Sequence, residues 1–585
     1  MNHQKQPAPR AKAKAATAAA LLLSVQAGLA QYTTPNITTG LGASTAALGD
    51  TVFINHGLQG VGRISGSALD AFGETFGSVS SLQITNWSGG GGGAYTGTFN
   101  ILPDRGYNNN NAGGFFSDYA ARLQQVDFTF TPYTDSANIG GGDTASRIAA
   151  QNQIGFTSPI TGTKFTYNDP NTGSGTATTG LDPGATGNAV IFGKTVPYVN
   201  SYTGQPTPGA PNQTFTGINK LAIDAEGLAL KPDGSGYVSD EYGANVYYFN
   251  ANKEITGVIT PSAAVQPHAA GGDPNFISTT APADGRRNNQ GLEGVALSPD
   301  GSRLFTLLQS GTVQDSGSAQ QNRLYTRLAV YDVAGNATPD APLSEFVLQL
   351  PTYTQNGGGT AVNATAAQSE IISLDNNRLL VLSRDANGQG SVTGNPSVYK
   401  SVLLVDLSVG APTDIAGTAS DGVSGLVTTS PGVLNPAITQ LSTVEALNML
   451  NSTQLDKFNI SLDLGGPNQL TQLTLGEKWE GMSLVSANDP AAPDDYFLFI
   501  ANDNDFLTSD GQMVGPGGAL VDYNAFVNHP ANRLMSPDAI TGVNQNDTMF
   551  LAYRVTIATV PEPGSALLLG LGAAALANRR RRRQG

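Results

Sequence analysis

Four glutamates recur at matching places in this chain, and their neighbours would let them do chemistry. Glu226 leads DAEGLALKPDGSGYVSDEYGANVYYFN (224–250), which ends a second apolar run on Asp240-Glu241. Glu293 leads NQGLEGVALSPDGSRLFTLLQS (289–310), ending near Gln309; Glu370 leads EIISLDNNRLLVLSRD (370–385), ending on Arg384-Asp385. Glu480 follows Trp479 and is answered by ANDNDF (501–506). Carboxylates and amides gathered in this way are hard oxygen donors suited to Ca²⁺. A cation held there could polarise a bound substrate and lower the pKa of a bound water. Glu226, Glu293 and Glu480 are the candidate catalytic residues, with Arg105, Arg287 and Arg384 placed to grip anionic oxygens by paired hydrogen bonds. Asp104, Asn289 and Asn504 are candidate substrate contacts, and Asp240, Glu241, Asp503 and Asp505 candidate metal ligands. Without a cation, that many facing carboxylates would repel and raise one another's pKa. The competing explanation for any single position is ordinary turn chemistry, since Asp and Asn favour strand ends.

These residues need hairpins to bring them together. Each copy reads as strand, turn, strand: Asp233-Gly234, Asp300-Gly301 and Asn376-Asn377 supply the turns. Repeats built only of strands and turns predict an all-β, propeller-like fold, in which corresponding strand ends converge on one face. The series 62–66 (GRISG) and 103–108 (PDRGYN) reads as a further copy, with Ser65-Gly66 in the place of Glu-Gly and Asp104-Arg105 as its polar end. The glutamates are 67, 77 and 110 residues apart, wider than a blade of about 40–50 residues, so the spacing leaves the blade number open. Val126, Phe128 and Phe130 alternate as in a half-buried strand. Residues 134–213, rich in Gly, Thr, Pro and Asn, predict a loop-rich insertion with one strand near 189–192, and 438–456 predicts a helix.

Composition agrees with short strands and frequent turns. Of 585 residues 71 are Gly and only 13% are charged. A formal net charge of −15, with no basic patch outside the termini, argues against nucleic acid as a partner. Cysteine is absent, so stability comes from packing, sheet closure or bound ions and not from disulfides. Three of the four histidines, His56, His268 and His529, lie in the body of the chain and are too scattered for a transition-metal set; His268 and His529 read as exposed loop residues.

Both ends read as addresses. Residues 1–30 carry Lys5, Arg10, Lys12 and Lys14, an apolar run over 15–25, and small residues at Gly28 and Ala30, the pattern of a secretory signal peptide cut before Gln31 by signal peptidase. At the other end Val560-Pro561-Glu562-Pro563 precedes an apolar run over 566–577 and five arginines, Arg579–Arg583. The run is short for a membrane span and its arginines favour the cytoplasmic side, which implies transient membrane contact. In order, these features of 560–585 resemble the PEP-CTERM sorting signal of Gram-negative bacteria. That resemblance implies processing by an exosortase and a product of the cell envelope or outer surface, or a secreted one.

The ordered series GVGRISGSALDAFGETFGS (60–78), LPDRGYN (102–108), DAEGLAL, SDEYG (239–243), NQGLEGVALSPDG, LSRD, KWEGM (478–482) and ANDNDF resembles the phytase-like family, described as having esterase-like activity. The resemblance covers 50–557 and implies a β-propeller-like domain that hydrolyses ester or phosphoester bonds in a small-molecule or polymer substrate. Two other readings stand beside this metal-assisted hydrolase. One is a non-enzymatic surface propeller that binds a polymer or partner, its acidic residues holding structural Ca²⁺. The other, on fold analogy alone, is a Ca²⁺-dependent lactone hydrolase. No G-x-S-x-G elbow supports a serine nucleophile.

Overall fold

The computed structural model describes residues 36–90, 93–109, 115–355, 361–389, 396–462, 472–526 and 546–559. The signal-peptide and sorting-signal segments and His529 lie outside these residues. The fold is all-β. After a long strand β1 (Thr51–Ile64) come four further sheets in chain order, antiparallel except where Thr166–Asp169 runs parallel to Glu254–Ile259. The first contains β2 (Ser81–Gly89), β3 (Tyr95–Leu102) and β4 (Arg122–Phe130). The second contains β5 (Ala225–Leu230), β6 (Gly236–Asp240), β7 (Val246–Phe249) and β8 (Glu254–Ile259). In the third are β9 (Leu292–Leu297), β10 (Arg303–Leu308), β11 (Tyr325–Asp332) and β12 (Ser344–Gln349). The fourth has β13 (Ala367–Ser373), β14 (Arg378–Arg384), β15 (Lys400–Asp406) and β16 (Ser442–Asn448). A last sheet joins β17 (Lys478–Ser486) and β18 (Asp495–Asp503) to β19 (Thr548–Thr559), which pairs along β1. The first and last long strands thus share one sheet.

The leading strands of these sheets, β2, β5, β9, β13 and β17, each pack on the next, and β17 returns to β2. No sheet closes into a barrel; the closure is between sheets, which makes the fold propeller-like. Glycines permit the close approach. A Cβ on Gly227 would stand 2.4 Å from the Glu293 carbonyl oxygen, and one on Gly481 would stand 2.6 Å from Val79 Cγ1. Apolar faces fill the gaps between neighbouring sheets: Phe99 stacks on Phe128 with centroids 3.7 Å apart, against Phe499 and Phe550 from the closing sheet.

Four expectations are corrected. Residues 134–213 contain strands at Ile154–Phe156, Thr161–Lys164, Thr166–Asp169, Gly173–Ala177, Asn188–Ile191 and Lys194–Gly204, several of which extend the first two sheets. They bury apolar side chains such as Tyr167, Val196 and Tyr198, but the Gly, Thr, Pro and Asn residues around these interrupt the apolar alternation that would reveal a strand. The predicted helix over 438–456 is β16 followed by a short helix, Ser452–Asp456. Val402 pairs with Leu447 and Leu403 with Glu445, so a bulge at Ala446 breaks the alternation and leaves a spacing that mimics a helix. Ser65-Gly66 follows β1 in the closing sheet, and Ser81, at the head of β2, lies where the later copies begin. His268 is buried, with Nδ1 2.7 Å from Asp284 Oδ1, so it is not an exposed loop histidine.

Candidate active site

The site is built on a repeated irregularity. In β9 the register jumps from Leu292↔Leu308 to Gly294↔Leu307, leaving Glu293 unpaired. In β17 it jumps from Trp479↔Asn502 to Gly481↔Ala501, leaving Glu480 unpaired. In β5 the shift falls between Ala225 and Leu228, at Glu226-Gly227. A bulge re-aims the extra side chain, and here it aims three glutamates at one end of the central space. The corresponding shift in β13 skips Ser369, whereas Glu370 pairs with Leu382. The match of Glu370 to the other three is therefore one residue out of phase. Glu370 lies deeper, accepting from Ser81 Oγ and from its neighbour's amide, Ile371 N, at 2.9 Å.

The three bulge glutamates line a pocket of about 340 Å³ together with Asp104, Arg105, Asp224, Glu241, Asn289, Gln309, Arg384, Lys478, Asp503 and Asp505, with Tyr107, Phe506 and Leu507 on one wall. Eight carboxylates face three cations, and each cation is already engaged. Arg105 Nη1 is 2.6 Å from Asp224 Oδ2, and Arg105 Nη2 donates to Asn289 Oδ1. Arg384 pairs with Glu480. Lys478 Nζ is 3.2 Å from Asp503 Oδ2 and also pairs with Asp505. Gln309 Nε2 donates to Glu293 Oε1, while Glu293 Oε2 is buried without a partner.

Excess negative charge in a buried place shows in the acidities. Burial, then the charge of Glu293 and of Asp224, pushes the Glu226 carboxyl well above its usual range. Burial and then Asp224 push Glu241 up to about 8, and burial lifts Asp503 to about 7 against the pull of Lys478. Asp104 is raised by burial and Asp503, and Glu293 by burial and Glu480. Oxygens of Asp224, Glu226 and Glu241 lie within 4.8 Å of one another. They come from the segment before β5, its bulge and the residue after β6. Three hard oxygen donors crowded beside other carboxylates are a donor set that fits a divalent cation.

Of the residues singled out in the sequence, ten line this pocket: Asp104, Arg105, Glu226, Glu241, Asn289, Glu293, Arg384, Glu480, Asp503 and Asp505. Three do not. Arg287 turns away, with Nη1 donating to Ser316 Oγ (3.0 Å) and the Gly317 carbonyl (2.7 Å). Asp240 folds into its own turn, accepting from the amides of Asp224 (3.0 Å), Tyr242 (3.1 Å) and Gly243 (2.8 Å). Asn504 braces the pocket from behind, accepting from Phe506 N (3.0 Å) and donating to the Asn546 carbonyl (2.9 Å). That bracing matters because Asp505 and Phe506 both have φ 54°, a conformation that side chains rarely adopt unless held. Asp503 and Asp505 pair with Lys478, and Asp224 with Arg105; the carboxylate oxygens gathered within 4.8 Å of one another are those of Asp224, Glu226 and Glu241. Asp224 and Lys478 were missed, yet a signal existed. Each stands two residues before a bulge glutamate, the spacing that keeps side chains on one face of an extended chain.

Residues 559–583 match the PEP-CTERM protein-sorting motif. An uncharacterised secreted protein of Arthroderma benhamiae is 30% identical over 492 residues, covering 79% of this chain and 89% of its own. Among solved structures, a luciferin-regenerating enzyme covers 85% of this chain and 95% of its own at 8% identity and a TM-score of 0.22. The WD40 domain of Toxoplasma gondii coronin covers 91% and 90% at 7% identity and a TM-score of 0.23. Both superpositions are too loose to bear on fold or activity. Residues 83–506, which contain every pocket residue named above except Leu507, match the family described as phytase-like, with the esterase-like activity of phytase, and the chain belongs to that family.

Proposed function

We propose that this exported chain is a five-bladed propeller that hydrolyses an ester or phosphoester in the acidic pocket, assisted by a divalent cation such as Ca²⁺. The observation that carries this is the convergence of Asp224, Glu226 and Glu241, with oxygens within 4.8 Å, in a pocket that also holds arginines. When bound there, the cation supplies Lewis-acid polarisation of the substrate oxygen and a more acidic water. Arg105 and Arg384 orient the substrate: each keeps an Nε–H with no hydrogen-bond partner among the described residues, available to an anionic oxygen. Glu480, held by Arg384, takes the proton of the attacking water. Glu293 Oε2 gives a proton to the departing oxygen; Gln309 fixes its other oxygen. The phenyl and aliphatic side chains of Phe506 and Leu507 keep water from that side. Export and exosortase processing follow from the sorting motif, and the secreted fungal relative supports export. Placement on a Gram-negative envelope belongs to the same proposal.

The test is a turnover screen with p-nitrophenyl acetate, p-nitrophenyl phosphate, bis-p-nitrophenyl phosphate and phytate, each with Ca²⁺ and with chelator. Turnover lost on chelation and in both Glu226→Gln and Glu293→Gln is expected. Turnover that survives these changes contradicts the mechanism. No turnover on any substrate, with a melting temperature that still falls on chelation, favours a Ca²⁺-stabilised binding protein.

A further inference from the structure

The last strand carries the chain from the pocket to the far face of the molecule. Thr548, which opens β19, accepts from Asn504 Nδ2 at 3.0 Å, and Asn504 is flanked by the pocket residues Asp503 and Asp505. Thr559, which ends it, pairs with Thr51 and accepts at Oγ1 from Arg378 Nη1 at 3.1 Å. Arg378 begins β14, whose other end, Arg384, is in the pocket. Around Thr559 are hairpin turns. Arg378 Nε donates to Asp375 Oδ2 at 2.6 Å, and Asn376 Nδ2 reaches Asp300 Oδ2, in the turn of the neighbouring sheet, at 2.9 Å. At about 3.3 Å per residue, β14 spans roughly 20 Å from the turn face to the pocket, and the longer β19 roughly 35 Å from end to end.

The sorting motif begins where β19 ends, at residue 559. Between it and the apolar run that opens at Ala566 lie six residues, 560–565. Fully extended, they reach about 20 Å, short of the roughly 35 Å length of β19 that they would have to retrace along the outside to reach the pocket face. We propose that, while its C-terminal segment is at a membrane, the protein is held with the hairpin-turn face toward the lipid and the acidic pocket opening away from it. The pocket is then presented to substrates arriving from outside, including polymers too large to pass between protein and bilayer. This orientation follows from where the chain leaves the fold and does not depend on what the pocket catalyses.

The absence of cysteine makes the orientation measurable, because a single introduced cysteine takes a label without competition. Asn377→Cys marks the turn face; Ala519→Cys marks the hairpin that packs over Phe506 through the Tyr523 hydroxyl. The full chain carrying a fluorophore at one site is reconstituted into phosphatidylcholine vesicles containing nitroxide-labelled lipid. With ~20 Å or more between the faces, quenching at residue 377 is expected to exceed that at 519 by about threefold or more. Inserting a long Gly-Ser spacer after Thr559 removes that difference, which an intrinsic difference between labels would not do. Equal quenching at the two sites, stronger quenching at 519, or none at either in vesicle-bound chain overturns the proposal.

Discussion

Glu480 and Met482 are two residues apart on one strand, yet they face opposite mouths of the same central space. Glu480 looks into the pocket of eight carboxylates. Met482, with Leu228, Val295 and Ile371 from neighbouring leading strands, lines a second cavity of about 450 Å³ at the turn face, where apolar side chains dominate. Plain alternation would place residues two apart on one face with one character. The bulge intervenes between them: it adds one residue at Glu480, and the regular strand resumes at Gly481. The same device at Glu226 and Glu293 lets each leading strand serve a reactive end and a packing end. Glu370 marks the border, buried between the two mouths and hydrogen-bonded to Ser81.

This contrast can be broken at either end, with different readouts. The largest effect is expected for Glu226→Gln, which should lower kcat by about 100-fold or more, as the loss of a ligand does, with an unchanged melting temperature of the metal-free chain. Steady-state kinetics beside thermal unfolding checks both halves of that statement. At the other mouth, Met482→Ala removes a side chain only 2% exposed. It should cost about 3 kcal/mol in denaturant unfolding while kcat stays within about twofold of the parent. Gly481→Ala sits on the border, where its Cβ would press on Val79 Cγ1 at 2.6 Å and Leu82 Cβ at 3.0 Å. A cost of about 1–3 kcal/mol together with reduced turnover is expected, because the bulge that aims Glu480 shifts with it.

The smallest effect is one of pH. Glu241 is raised to about 8 and Asp503 to about 7. Groups that bind protons more tightly when folded stabilise fully below their unfolded range, near pH ~4, and lose that contribution as pH rises through their folded values. The metal-free chain should therefore melt lower at pH 8 than at pH 5.5. Added Ca²⁺ should recover more stability at pH 8, where fewer protons compete for the carboxylates. Differential scanning calorimetry at the two pH values, with and without Ca²⁺, reads this directly.

Much of this was legible before any coordinates. Asp-Gly and Asn-Asn turns between apolar runs mark the hairpins of β5–β6, β9–β10 and β13–β14, and Glu-Gly marks the start of three leading strands, while the bulges at those positions show only in the pairing. What escaped did so for identifiable reasons. Glu370 copies the residue type but not the register, since only pairing shows that Ser369 is the skipped position. Asp240 resembles a ligand by its place at a strand end, but three nearby amides claim it. Arg287 precedes Glu293 closely in sequence, yet the turn between them sends its guanidinium toward Gly317. Lys478 is invisible to a search for carboxylates and arginines, and only the structure shows it as the counter-charge of Asp503 and Asp505.

The most direct test of the central claim is equilibrium Ca²⁺ binding by titration calorimetry to the parent chain and to Glu226→Gln. In the proposed site the Glu226 side chain would hold the ion, and among the described residues it makes no side-chain hydrogen bond, so the substitution separates binding from folding. The account predicts a Ca²⁺ site in the parent that is lost in Glu226→Gln at unchanged melting temperature of the metal-free chains. Equal binding by both, or none by the parent, would contradict it.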